Sequence, residues 1–157
     1  MFASHRYSFF CETMEIPQCF YRISVKALIC DDEGRFLLSR EDNGGWDLPG
    51  GGLDHDEDPH LGLMREIFEE TGLEVLSVAK APSHFLTTRN ERGTPFSNVI
   101  YRTALKNLDF TPSAECQELR FFTPEEALKE RLFPNVQAFI DAVIAQGTED
   151  LRSAEAE

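Results

Sequence analysis

Three glutamates, Glu66, Glu69 and Glu70, stand three and four residues apart in the stretch Arg65-Glu66-Ile67-Phe68-Glu69-Glu70. On a helix that spacing brings Glu66 within one turn of both others, so the carboxylates share a face. Like charges so placed repel by roughly a few tenths of a kcal/mol per pair. Arg65 lies four residues before Glu69 and offsets part of the repulsion, while Glu57 adds a carboxylate upstream. One arginine does not balance this set. A divalent cation does, and hard oxygen donors suit Mg²⁺ or Mn²⁺. The plain alternative is a solvated acidic helix face, the usual meaning of a charge run.

A helix must hold these groups, and its ends are written into the chain. Asp58 suits the N-cap and Pro59 the first helical position, where a missing N–H costs nothing. Gly72 suits the left-handed residue that ends a helix. Between them Leu61, Met64 and Phe68 recur at helical steps, with Leu63 and Ile67 beside them, which predicts an apolar stripe packed on a core. Gly50-Gly51-Gly52 precedes the helix. Such a run turns tightly and lets backbone approach a ligand closely.

The whole stretch from Gly51 through Glu57, Arg65-Glu66 and Glu69-Glu70 to Gly72-Leu73 resembles the Nudix box, with every fixed position filled. The lead-in Trp46-Asp47-Leu48-Pro49-Gly50 is also similar to that of the Nudix family. The resemblance implies an α/β fold, an α/β/α sandwich around a mixed β-sheet. It implies metal-dependent hydrolysis of a pyrophosphate bond in a nucleoside diphosphate linked to another moiety, with a nucleoside triphosphate or nucleotide sugar as the expected substrate. Glu66, Glu69 and Glu70 would be the metal ligands, joined by a backbone carbonyl carried onto Gly50, with Mg²⁺ or Mn²⁺ as cofactor. Glu66 is favoured to take the proton from water. Glu57 and Arg65 would brace the loop against the helix, a job suited to a bidentate pair of fixed geometry.

Outside the box, Glu115 is the best further acid, since some family members place a ligand or general base in this loop; Glu118 competes with it. Arg40 could reach a substrate phosphate, with Arg22, Arg89 and Arg92 as weaker candidates, and Tyr21 or Phe85 could wall a base or sugar. Trp46 reads as structural. The marks of ADP-ribose, diadenosine polyphosphate, NADH and coenzyme A hydrolases are absent after the box, which leaves the substrate open. A catalytically silent nucleotide- or metabolite-binding domain is the alternative from another class. Two others, an isopentenyl diphosphate isomerase and an RNA decapping enzyme, are disfavoured, the first by the scattered cysteines and the second by the charge.

Net charge is −13 over 157 residues, which opposes long nucleic acid and anionic membranes as partners and leaves a small nucleotide diphosphate. An apolar fraction of 41% and 13 phenylalanines against one tryptophan predict one ordinary domain with a phenylalanine-rich core. Cys11, Cys19, Cys30 and Cys116 show no zinc spacing, and Cys30 is expected to be a buried thiol. This usage, with no signal-peptide core or apolar span, points to the cytoplasm.

Residues 1–20 read as an aromatic leader or arm, 21–146 as the Nudix domain and 147–157 as a polar acidic tail that frays. A homodimer is possible, with the leader contributing. Residues 21–30 and 35–40 predict a hairpin about Asp31-Asp32-Glu33-Gly34, followed by a polar loop over 41–45. Further strands are expected over 73–80, 82–88, 96–105 and 119–122, with a turn at Asn90-Glu91-Arg92-Gly93. Helices are expected from Thr123 to about Glu130 and over 135–145.

Overall fold

The structure, a computed structural model, describes residues 19–152. Its strands are β1 (Arg22–Leu28), β2 (Phe36–Arg40), β3 (Trp46–Asp47), β4 (Val75–Val78), β5 (His84–Arg89), β6 (Pro95–Leu105) and β7 (Glu118–Phe122). Helices α1 (Pro59–Thr71), α2 (Pro124–Ala127) and α3 (Pro134–Gln146) and a 3₁₀ turn (Thr148–Leu151) complete it. β6 is the centre of one mixed sheet: β1 runs parallel to it on one edge, and β5 and β4 pair antiparallel with it. β3, β2 and β7 form a second, antiparallel sheet.

α1 covers one side of this layer, where Leu63 and Ile67 pack with Val25, Ala27, Leu37 and Tyr101. α3 covers the other, where Phe139, Ile140 and Val143 pack with Phe36, Leu38, Trp46 and Ile100. Alternation along β1 and β2 feeds the two cores in turn, as a strand buried on both faces does. The result is an α/β/α sandwich. Among the described residues no helix is long and apolar enough to cross a membrane.

The structure corrects several local expectations. The Asp31–Gly34 turn forms, and Cys30 bridges to Phe36, but β1 and β2 then part into different sheets. The reason is a competitor: the glycine run takes the edge of β1, with Val25 N–H donating to Gly51 O and Ala27 N–H to Pro49 O. The stripe Leu61, Met64 and Phe68 faces out, 63%, 41% and 60% exposed, while Leu63, Ile67 and Thr71 are buried. Both stripes have helical spacing, so periodicity alone did not choose between them.

β3 lies just after the expected 41–45 loop, and α2 stops at Ala127, although its Thr123–Glu126 capping box is complete. The 3₁₀ turn orders the start of the expected tail, with Leu151 buried in the α3 core, and residues 153–157 lie outside the described residues. Cys30 is half-buried. The expected leader lies outside the described residues except for Cys19 and Phe20, both exposed.

Candidate active site

α1 begins where Asp58 accepts the N–H groups of His60 and Leu61 at 2.9 and 3.1 Å. It ends where Gly72, at φ 71°, donates its N–H to Phe68 O. With both ends fixed, the helix delivers its glutamates to the glycine run. Gly50 has φ 113°, and a Cβ there would come within 2.4 Å of Val25 O. A Cβ on Gly51 would come within 2.1 Å of Glu66 Oε2. At Gly50 the clash is with backbone and no side chain fits, whereas at Gly51 a side chain would displace the Glu66 carboxylate.

Arg65 gathers the acids on one side. Its Nε and Nη2 donate to Glu57 at 2.8 and 2.9 Å, and its Nη1 donates to Glu66 Oε1 at 2.8 Å and Glu69 Oε2 at 3.0 Å. Nη2 also reaches Gly52 O at 3.2 Å, so the guanidinium ties loop to helix. The Arg65 hydrogen bonds, with the Asp54 N–H, hold the Glu57 carboxyl down at about 2. Those bonds raise Arg65 further above its ordinary value.

Glu70 lies in a different environment. It is half-buried against the glycine run, where Gly50 N–H donates to its Oε2 at 3.1 Å. Burial raises its carboxyl to about 7, and the positive charge of Lys26 only partly opposes this. Glu66 and Glu70 line one hollow of about 380 Å³ together with Glu41, Asp42 and Glu115. Burial, then the charge of Asp47, raises Glu41 as well. Glu118 is elsewhere, paired with Arg40 at 3.0 Å.

Behind the glycine run lies a second cavity of about 280 Å³. Arg22 and Arg89 stand at it, and Phe96 and Phe133 supply aromatic wall. Two buried amides face it: Asn98 donates to Thr88 Oγ1 at 3.0 Å, and Asn135 to Asp47 Oδ1 at 2.6 Å. Arg40 does not line this cavity; its guanidinium lies 5.9 Å from the Trp46 ring centre. Phe85 is 63% exposed on β5, Tyr21 lies at a neighbouring surface hollow, and Arg92 sits in the β5–β6 turn.

The sequence reading missed Lys26, Asp47, Asn98, Asn135 and Glu41. A lysine facing inward in an apolar strand was the one visible signal among them.

Among the described residues no three acidic, histidine or cysteine side chains are gathered tightly enough to hold an ion. The Gly50 carbonyl accepts from the Lys26 ammonium. In type the donors still fit a hard divalent cation: carboxylate oxygens held against a backbone strand, one of them half-buried without a full counter-charge.

The model of the NUDIX domain matches residues 20–143. The chain belongs to the Nudix family. It is similar to a MutT-like protein of Streptomyces ambofaciens, 46% identical over 35% of this chain and 36% of that one. It is 44% identical to an RNA pyrophosphohydrolase of Methylococcus capsulatus over 34% of this chain and 29% of that one. The chain thus spans about a third of the length of the curated relatives it matches. Among solved structures, a MutT protein of Methanosarcina mazei superimposes with TM-score 0.68 at 28% identity, over 82% of this chain and 96% of that one. Residues 20–143 take in the glycine run, α1 and both cores apart from Leu151.

Proposed function

We propose that this Nudix chain is a divalent-cation-dependent pyrophosphohydrolase. Its substrate is a nucleoside diphosphate linked to another moiety, and a nucleoside triphosphate or nucleotide sugar is the first choice. The observation that carries this reading is the position of Gly50–Gly52. An acidic hollow lies on one side of the run and a cavity with arginines, amides and aromatic walls on the other.

Glu66, Glu69 and Glu70, with the Gly50 carbonyl, would hold Mg²⁺ or Mn²⁺. Once bound, the cation screens the phosphoryl charge and lowers the pKa of bound water. The chain's own residues do the rest. Phe96 and Phe133 enclose a base or sugar, and the Asn98 and Asn135 amides offer it fixed polar groups. Arg22 and Arg89 draw the phosphates toward the glycine run against the negative field of the whole chain. Glu66 or Glu115 accepts the proton of the attacking water. Arg65 and Glu57 keep α1 in register with the loop. The small cavity and net charge of −13 favour a free nucleotide over the 5′ end of an RNA chain.

A phosphate- and pyrophosphate-release screen tests this. Nucleoside triphosphates, nucleotide sugars, dinucleotides and a 5′-triphosphate RNA are offered with Mg²⁺, Mn²⁺ or chelator. Turnover on one small-nucleotide group, abolished by chelator, is the expected result. Absence of turnover on all of them by folded protein would sink the hydrolase reading and leave a binding domain.

A further inference from the structure

Lys26 has no task in the reading above, yet it is only 6% exposed, at the wall of the 280 Å³ cavity. β1 presents Arg22, Ser24 and Lys26 at alternate positions to the glycine run, and each meets a successive glycine. The Arg22 guanidinium lies against Gly52, Ser24 Oγ donates to Gly51 O at 3.1 Å, and the Lys26 ammonium donates to Gly50 O. Lys26 also donates to Asp47 Oδ2 at 2.9 Å. Asp47 is otherwise saturated, since its Oδ1 takes Leu48 N–H at 2.7 Å and Asn135 at 2.6 Å. The single residue Gly50 therefore gives its N–H to Glu70 and its carbonyl to a buried ammonium. The Asp47 carboxylate at 2.9 Å is the counter-charge of this ammonium.

We infer that Lys26 is a positioning residue that occupies the Gly50 carbonyl as a resident cation. It holds the glycine run in its working shape, and it weakens the binding of any divalent cation that takes Gly50 and Glu70 as ligands. The incoming ion meets a positive charge already seated on one of its donors. Asp47 gives the ammonium a second partner to retain when it surrenders the carbonyl. This inference rests on the cation-dependent reading and adds a residue to it. A lysine that merely stabilised the loop would have the opposite signature: its removal would loosen the run and weaken cation binding.

The experiment is Mn²⁺ titration of the substrate-free protein, followed by the electron paramagnetic resonance signal of free Mn²⁺. It compares wild type with Lys26→Gln, Lys26→Arg, and a Lys26→Met/Asp47→Asn double variant. The double variant removes both buried charges together, so neither is left unpaired. Lys26→Gln is expected to bind Mn²⁺ about tenfold more tightly. The double variant should follow it, and Lys26→Arg, which keeps the charge, should stay near wild type. Unchanged or weaker binding by folded Lys26→Gln overturns the inference while leaving the hydrolase reading in place. If Lys26→Gln does not fold, the double variant decides by the same criterion. A wild-type protein that takes up no Mn²⁺ removes the cation-dependent reading itself, and this inference with it.

Discussion

Glu57 and Glu70 belong to one motif and contact one glycine-rich loop, yet they are held in opposite conditions. Glu57 meets a bidentate guanidinium, which holds its carboxyl at about 2. Glu70 is half-buried beside a backbone N–H, and desolvation raises its carboxyl to about 7. On the Arg65 side of α1 one guanidinium is shared among Glu57, Glu66 and Glu69. The Glu70 side, which Lys26 serves only in part, lacks positive charge. Residue type does not distinguish the two glutamates; the distance to Arg65 and the depth of burial do.

The largest effect should come from the carboxylates themselves. Glu70→Gln is expected to lower turnover roughly a thousandfold, because a group at the reacting centre is lost. Glu57→Gln should lower it only about tenfold, through misplacement of the loop. Equal losses in steady-state assays would erase the contrast.

Next comes the floor beneath Glu70. Leu63 is buried and lies under Gly50, where a Cβ would meet Leu63 Cδ1 at 2.8 Å. Leu63→Ala should cost about 3 kcal/mol in urea unfolding. Gly51→Ala acts through a Cβ that would press on Glu66 Oε2. It should reduce turnover roughly a hundredfold while the protein stays folded.

A smaller effect separates the two sides by pH. Glu57 titrates at about 2 in the fold against an ordinary 4.5. The stabilisation it lends is therefore complete above about pH 4.5 and is lost as pH falls toward 2. In melts across that range, Glu57→Gln should show a shallower fall of Tm than wild type.

The smallest effect belongs to the outer stripe beside Arg65. Phe68→Ser should change stability by less than about 0.5 kcal/mol, since the ring is 60% exposed. A loss near that of Leu63→Ala would mean that this face is covered in solution.

Much of the local structure was legible in the chain. Asp58, Pro59 and Gly72 bound α1 as their chemistry requires, and Thr123–Glu126 closes its capping box. Glu66 and Glu70, though not Glu69, share a hollow with Glu115, a residue far along the chain that resemblance to the family singled out. What could not be read was long-range. Lys26, Asp47 and Asn135 meet only through tertiary structure, and no periodicity connects them. The choice between two apolar stripes on α1 depends on which way the glycine run turns the helix. Arg40 ends a strand near the site in sequence, but strand alternation directs it to Trp46 and Glu118.

The placement of β1 has a further consequence for how the chain is made. One edge of β1 is filled by the glycine run that soon follows it, but the other waits for β6, in parallel register from Arg22 opposite Phe96 to Leu28 opposite Arg102. During synthesis the acidic helix leaves the ribosome well before β6 exists to complete the sheet beneath it. Pairings so distant in the chain make folding slow. At a synthesis rate of roughly 5–20 residues per second, the β1 edge stays open for about a few seconds before its partner strand exists.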